Sequence, residues 1–170
     1  MKSESRRGDP ETLCLPAEFL NGWLFGINAS RVKSEEREME KYHWHRYTVS
    51  ESFDRIKKGE NHWVAFGDFL DDWRRSNHED RLELANEPPK EPMTSEERQW
   101  AALFAAAVEQ ISTQEEIDPP AWVKDAKYYL DEPWYPTVKT ENMRRLYQEV
   151  TPMIFKQHNV FSGDRVLDRV

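Results

Sequence analysis

The sequence is poor in cysteine and glycine and has no long apolar run. Its 170 residues include one cysteine, Cys14, which excludes an internal disulfide framework and a zinc site made of several cysteines. The six glycines form no phosphate-binding glycine-rich loop. No apolar stretch approaches the roughly 20 residues needed to span a bilayer, so we expect no membrane segment. Each absence removes a class of function, and none of them identifies one.

The start of the chain and its cysteine carry two further expectations. The first ten residues lack the apolar stretch that follows the basic start of a secretion signal, so we expect a cytoplasmic protein. Cys14 has no nearby histidine or basic helix start that would activate a thiol. A reactive cysteine is therefore not predicted.

Charge is plentiful and unevenly distributed. The chain has 24 basic and 32 acidic residues, which gives a net charge of −8. Residues 119–170 carry eight basic and seven acidic side chains, so the acidic excess lies within residues 1–118. An acidic protein surface repels nucleic acid and anionic membranes, and it favours a partner with a basic surface. The same acidity would also keep a cytoplasmic protein soluble without any partner.

The apolar pattern favours helices. Aromatic residues make up 12% of the chain, which is typical of a folded protein rather than a disordered one. Apolar residues recur at helical spacing, and a strand remains possible only over residues 42–49, where β-formers cluster. The sequence predicts an all-α fold, an irregular bundle of about seven to nine short helices with a C-terminal cap rich in proline and aromatic residues.

A proline-rich segment divides the predicted helices. Residues 87–92 (EPPKEP) are expected to link an acidic helical part at residues 16–87 to a C-terminal helical part at residues 93–170. Residues 1–15 are predicted to be a flexible N-terminus. Within the acidic part, short helices are predicted from Pro16 and over residues 31–41. We expect the two helical parts to form one compact domain.

Cap residues and apolar stripes predict the helix boundaries. Ser50 and Asn61 are candidate N-caps, and Gly59 is expected to end the helix that starts at Ser50. Thr94 and Glu97 have the spacing of a capping box. The predicted apolar stripes comprise Trp63, Phe66, Leu70 and Trp73; Trp100, Leu103, Phe104, Ala107, Val108 and Ile111; and Met143, Leu146, Tyr147 and Val150. The last of these stripes belongs to a helix that Thr140 is expected to cap.

Two histidines form a candidate metal site. His43 and His45 would share one face of a strand, whereas on a helix they would point apart. A third ligand would have to come from His62, His78 or a carboxylate, and no local motif supplies it. We expect instead that one of the pair packs on the core while the other is solvated. The sequence therefore predicts no bound metal and no cofactor.

A second candidate site combines His62 with the acidic residues of the following helix. On the helical wheel His62 falls beside the apolar face, while the aspartates spread over the opposite side, as on an ordinary solvated face. General acid–base chemistry needs groups that converge on one point, so we predict a protein that is not an enzyme. The alternative is a small metal-dependent hydrolase that uses His43, His45 or His62 with Asp68 and Asp72.

Direct binding of nucleic acid is not predicted. The basic doublets at 6–7, 74–75 and 144–145 are mostly flanked by acidic residues, and no helix carries a positive footprint. Glutamates at 35, 36, 38 and 40 would suit a phage-encoded inhibitor that mimics nucleic acid. They suit an ordinary solvated helix equally, and that interpretation is favoured.

The C-terminal pattern resembles a known group of proteins. Its pieces are PPAWV at 119–123, PWYP at 133–136, HNVF at 158–161 and, before them, WVAFGDFL at 63–70. This pattern of prolines and aromatic residues covers roughly residues 60–170. It resembles that of small bacterial helical proteins encoded beside nucleotidyltransferase-type toxins. The resemblance implies an all-helical antitoxin or accessory protein that acts by binding its toxin. It assigns no functional residue.

The residues themselves point to a non-enzymatic protein-binding module that masks another protein. Large aromatic side chains and arginine dominate the energetics of protein interfaces. The candidate contact residues are Trp134, Tyr135, Phe161 and Arg165. The expected partner has a basic surface, and the resemblance suggests a nucleotidyltransferase-type toxin.

Overall fold

The architecture is given by a computed structural model, which describes residues 45–168. These described residues belong to one compact unit. Several predictions fall outside the described residues. They concern the flexible residues 1–15, Cys14, the helices from Pro16 and over 31–41, the glutamates at 35, 36, 38 and 40, and His43.

The described part of the chain is helical. Its α-helices are α1 (Val49–Lys57), α2 (His62–Arg75), α3 (His78–Asn86), α4 (Ser95–Gln114), α5 (Glu141–Val150) and α6 (Met153–Gln157), and two 3₁₀ helices span Ala121–Lys124 and Ala126–Tyr128. Residues 45–168 contain no strand, and the parallel bridge between Trp134 and Val160 is isolated. The all-α prediction is confirmed. The predicted number of helices refers to the whole chain, whereas six α-helices lie in the described part.

The core is built around α4. Every residue from Trp100 to Val108 is buried, including five alanines. A helix that is apolar on all sides is one that other elements surround. Accordingly, α1, α6 and both 3₁₀ helices pack on α4, where the short alanine side chains leave room for them. The predicted stripe is buried, and between Trp100 and Val108 burial extends to every face of the helix.

Aromatic rings join α1 and α2 to α4. The ring centroid of Phe104 lies 6.3 Å from that of Phe53, 5.2 Å from that of Phe66 and 5.9 Å from that of Phe69. Such tilted and edge-to-face pairs add to the apolar burial of each ring. The first residue of the predicted α2 stripe, Trp63, is instead 38% exposed.

The N-cap of α1 differs from the prediction. Thr48 Oγ1 accepts a hydrogen bond from the Glu51 N–H at 3.2 Å, and the Glu51 carboxylate accepts one from the Thr48 N–H at 3.2 Å. This reciprocal arrangement satisfies two backbone donors, so the N-cap lies two residues before Ser50, which is itself buried inside the helix. Asn61 caps α2 as predicted. The backbone turns at Gly59, where φ is +91°, also as predicted.

Half of the second predicted capping box forms. Thr94 Oγ1 accepts a hydrogen bond from the Glu97 N–H at 3.1 Å. The Glu97 carboxylate reaches one residue further back and accepts from the Met93 N–H at 2.6 Å. Thr140 occupies the N-cap of α5 without a side-chain hydrogen bond to the helix. The cap residues therefore predicted correctly where these two helices begin, but not all of the side-chain hydrogen bonds at their N-termini.

The proline-rich segment is attached to structure on both sides. Lys90 forms an ion pair with Asp54 of α1, and Lys57 Nζ donates a hydrogen bond to the Glu91 carbonyl at 2.7 Å. The Tyr128 hydroxyl donates to the Pro89 carbonyl at 3.3 Å. These contacts tie the segment to α1 and to the second 3₁₀ helix.

Tyr128 gives the fold a dependence on alkaline pH. Its side chain is fully buried, and this burial, with the nearby charges of Asp125 and Glu91, raises the pKa of Tyr128 to about 12. Because the folded state holds the phenolic proton more tightly than the unfolded chain does, the resulting stabilisation is complete below pH 10 and is lost as pH rises toward 12.

The variant Tyr128→Phe is expected to reveal this titration. At neutral pH it should lose about 1 kcal/mol of unfolding free energy, because the bond to the Pro89 carbonyl disappears. Above about pH 10 the wild type should lose stability faster than the variant, so the two curves should converge. Urea unfolding at a series of pH values measures the difference. Parallel curves up to pH 12 would contradict the assignment to Tyr128.

Candidate functional site

Three of the four predicted contact residues lie together. The rings of Tyr135 and Phe161 stack with centroids 5.1 Å apart and an interplanar angle of 21°. The Phe161 N–H donates to the Trp134 carbonyl at 2.8 Å, and the Trp134 N–H donates to the Asn159 carbonyl at 2.8 Å. Two extended segments far apart in sequence are thus held side by side. The stacked rings are half-buried.

Trp134 connects this pair to the core. Its ring meets that of Trp100 edge-on with centroids 5.4 Å apart, and Trp100 meets Trp63 in the same way at 4.9 Å. Trp134 is half-buried and packs against the core cluster. Its position indicates that it supports the surface pair from beneath.

Arg165 is the fourth predicted contact residue. It is exposed in the segment after Gly163. The guanidinium over the Tyr135 ring is that of Arg144, 5.2 Å from the centroid, and Gln148 Nε2 donates to the Tyr135 hydroxyl at 2.6 Å. Both belong to α5, where positions i and i+4 share a face. We call Trp134, Tyr135, Phe161, Arg144 and Gln148 the tail cluster.

The apolar stripe of α5 faces solvent. None of its residues is buried, and Met143, Leu146 and Val150 are 42%, 45% and 38% exposed. The spacing predicted the helix correctly but could not show that no described element covers this face. Tyr147, the fourth residue of the stripe, is half-buried, and its ring lies against Gly163. At this glycine φ is +80°, and a Cβ would come within 3.2 Å of the Tyr147 ring.

His45 and His62, two of the candidate metal-binding histidines, do not converge. His45 is exposed and its Nε2 lies 3.7 Å from Glu51 Oε2. His62 stacks on Trp100 at 4.7 Å, and its Nε2 lies 3.5 Å from Glu96 Oε1. Each histidine thus has a different neighbourhood.

The aspartates of the alternative hydrolase are engaged in structural contacts. Asp68 Oδ2 accepts from Arg55 at 2.9 Å, and Asp72 Oδ2 accepts from the Tyr47 N–H at 2.8 Å. Across residues 45–168, no group of three or more histidine, cysteine, aspartate or glutamate side chains is placed to hold a metal ion. The described members of the hydrolase set therefore do not form one site.

Arg55 forms a charged junction between α1 and α2. Its guanidinium bonds Glu60 and Asp68 and lies 4.1 Å from the centroid of the Tyr47 ring. The hydrogen bond to Glu60, opposed by burial, raises the pKa of Arg55 above its ordinary value and lowers that of Glu60. The role of Asp68 in this arrangement is to fix two helices.

A buried histidine, to which the sequence patterns assigned no role, joins α4 to the C-terminal segment. His158 is fully buried, its Nδ1 lies 2.8 Å from the Tyr128 carbonyl, and its Nε2 lies 3.0 Å from Glu109 Oε2. A carbonyl can only accept, so Nδ1 carries a proton. A second proton must lie between Nε2 and the carboxylate, either on the imidazole or on Glu109. The ring of Tyr129 covers His158 at 4.3 Å.

An open cleft of about 590 Å³ lies beside the start of α4. The side chains that border it include Glu91, Arg98, Lys127, Tyr129 and Asp131. Charges of both signs line the cleft, and Lys127 lies 3.7 Å from Glu91. This lining favours no single class of ligand.

Comparisons with known proteins add no family to this picture. A scan against protein-family models, a search of curated proteins and a search of solved structures each found no match for the chain. In the described part of the chain, no helix has both the length and the apolar character required to cross a membrane.

Proposed function

We propose that the chain is a cytoplasmic protein-binding module that masks another protein, in the manner of an antitoxin or inhibitor, and that it is not itself an enzyme. The observation that carries this proposal is the stacked pair Tyr135–Phe161, presented at the surface on a backbone fixed by hydrogen bonds. The tail cluster is the proposed contact surface.

Pre-organisation makes this pair suitable for binding. Ordering a rotamer-rich side chain at an interface costs about 0.5–1.5 kcal/mol, and rings that are already stacked avoid much of that cost. Arg144 and Gln148 fix the Tyr135 ring and hydroxyl before any partner arrives. Aromatic anchors of this kind, surrounded by polar groups, are typical binding hot spots.

The charge of the described body indicates the kind of partner. Residues 45–168 contain 16 basic and 24 acidic side chains. Complementary charge accelerates association and disfavours wrong partners, so the partner is proposed to carry a basic surface. A nucleotidyltransferase-type toxin is the most concrete candidate, on the strength of the sequence resemblance. The proposal includes no direct binding of nucleic acid or membrane.

The test is binding to the product of an adjacent gene. The double variant Tyr135→Ala, Phe161→Ala is expected to weaken the complex at least about tenfold, because both anchors are removed. Co-purification identifies the complex, and calorimetry with the purified pair measures its affinity. An inhibition assay then shows whether the activity of the partner is masked.

The matched control is Tyr147→Ala, since this ring borders the tail cluster but lies against Gly163. Circular dichroism of each variant confirms folding. If no adjacent gene product forms a stable complex, or if the double variant binds as tightly as the wild type, the proposed surface is wrong.

A further inference from the structure

A second cavity, of about 220 Å³, lies between α3 and the turn that follows α4. We call it the α3–α4 cavity. A cavity of about 150 Å³ can hold a benzene ring, so this one has room for the end of a long side chain. Its apolar lining includes Trp73, Leu82 and Ile117, and its polar lining includes Ser112 and Asp118.

The ends of two helices give the α3–α4 cavity a negative character. Helix α3 ends at Asn86 and α4 ends at Gln114, so the cavity lies at the carboxyl ends of both. That end of a helix carries a partial negative charge, which a basic residue in the last turn can offset. Neither α3 nor α4 has a basic residue in its last turn. A cation from outside would therefore be favoured here.

The charged side chains of the lining point the same way. Arg81 is already neutralised, because it forms an ion pair with Glu115, and its Nε donates to the Trp73 carbonyl at 2.9 Å. Asp118 is exposed, and within residues 45–168 its carboxylate has no ion pair or hydrogen bond. The charge that remains on the lining is therefore negative.

A buried hydroxyl on the wall is left without a partner. Ser112, in the last turn of α4, is fully buried, and its Oγ has no hydrogen-bond partner among residues 45–168. Leaving a buried polar group unpaired costs about 1–3 kcal/mol. A ligand that donates a hydrogen bond to this oxygen would remove that cost, so the wall is suited to a ligand with N–H donors.

We propose that the α3–α4 cavity is a second contact site, which receives a basic side chain of the partner protein. Lysine and arginine combine an apolar stem with a cationic end that carries N–H donors. The stem packs on the apolar lining, and Asp118 and the Ser112 hydroxyl bind the charged end. This inference rests on the proposed function and names one contact that the basic surface of the partner would make.

Side-chain analogues test the cavity on this chain alone. The probes are n-butylammonium for lysine, n-propylguanidinium for arginine and n-butanol as the uncharged counterpart, all at constant ionic strength. NMR titration can follow the Trp73 indole N–H, which donates to Glu115 at 3.3 Å. We expect at least one cation to bind with a dissociation constant on the order of 1–10 mM, and n-butanol to bind at least about fivefold more weakly.

A matched pair of variants tests the role of the carboxylate. Asp118→Asn should weaken cation binding at least about fivefold and leave n-butanol unchanged, because only the charge is removed. Glu83→Gln removes the same charge from an exposed position of α3 outside the cavity lining, and it should have little effect. Equal binding of n-butanol and the cations, or equal effects of the two variants, would overturn the cation site.

The complex with the adjacent gene product supplies the second measurement. Asp118→Lys should weaken that complex at least about tenfold, because the new ammonium repels the incoming basic side chain. Glu83→Lys is the control for net charge, and equal losses in the two variants would contradict a contact at the cavity. Cation binding without any complex would count against the masking function alone. A complex formed without cation binding would count against the cavity alone.

Discussion

Replacing Glu109 by alanine is expected to lower the free energy of unfolding by about 3 kcal/mol, because the change leaves a buried imidazole nitrogen without a partner. His158 is fully buried, and its two ring nitrogens are committed to the Tyr128 carbonyl and to Glu109. Urea unfolding at neutral pH measures the loss. The effect is large relative to the 5–15 kcal/mol that is roughly the stability of a small domain.

The matched variant Glu109→Gln separates the hydrogen bond from the charge. A glutamine amide can donate to an unprotonated Nε2, so the bond survives without ionisation. We expect a loss of no more than about 1 kcal/mol. If glutamine is as damaging as alanine, the charge of the pair rather than its hydrogen bond is what stabilises the fold. If alanine costs nothing, the contact has no structural role.

The same contact bears on the proposed function. His158 immediately precedes Asn159, whose carbonyl accepts from Trp134, and the segment continues to Phe161. Loosening His158 would therefore loosen the backbone that positions the stacked pair. Glu109→Ala should weaken partner binding even though Glu109 lies outside the tail cluster.

Phe104→Ala is expected to be the most damaging single substitution in the core, with a loss of about 3–5 kcal/mol. Its ring is fully buried and contacts the rings of Phe53, Phe66 and Phe69, so its removal leaves a cavity where α1 and α2 meet α4. Thermal and urea unfolding both measure this loss. The cavity should also lower the midpoint temperature of thermal unfolding without changing the cooperativity of the transition.

Phe161→Ala is the matched control, because the same atoms are removed from a half-buried ring. Its cost should be well below that of Phe104→Ala, since solvent already reaches the ring. Equal losses at the two positions would contradict the assignment of Phe104 to the centre of the core. They would also place Phe161 in a structural role and remove it from the proposed contact surface.

Local signals in the sequence predicted much of the fold. The apolar period of α4, the cap at Asn61 and the turn at Gly59 each depend on residues a few positions apart. The cap of α1 was misplaced because Ser50 and Thr48 are both good caps, and only Thr48 has a glutamate three residues later.

Only part of the candidate site could be predicted from the sequence. Tyr135 and Phe161 were chosen for their residue type, but their contact joins segments 26 positions apart, which no local pattern specifies. Arg144 was missed for the same reason. The carboxylates of α2 suggested chemistry in the sequence, whereas in space Arg55 and the Tyr47 backbone occupy Asp68 and Asp72.

The sequence by itself determined that the described chain is helical, where the helices after Asn61, Thr94 and Thr140 begin, and that its charge is acidic, because these properties depend on neighbouring residues and on simple sums. Tertiary structure decided which apolar faces are covered. The stripes of α4 and α5 have the same period, yet one is enclosed by other helices and the other is left at the surface. That difference depends on how distant elements pack, which no local pattern specifies.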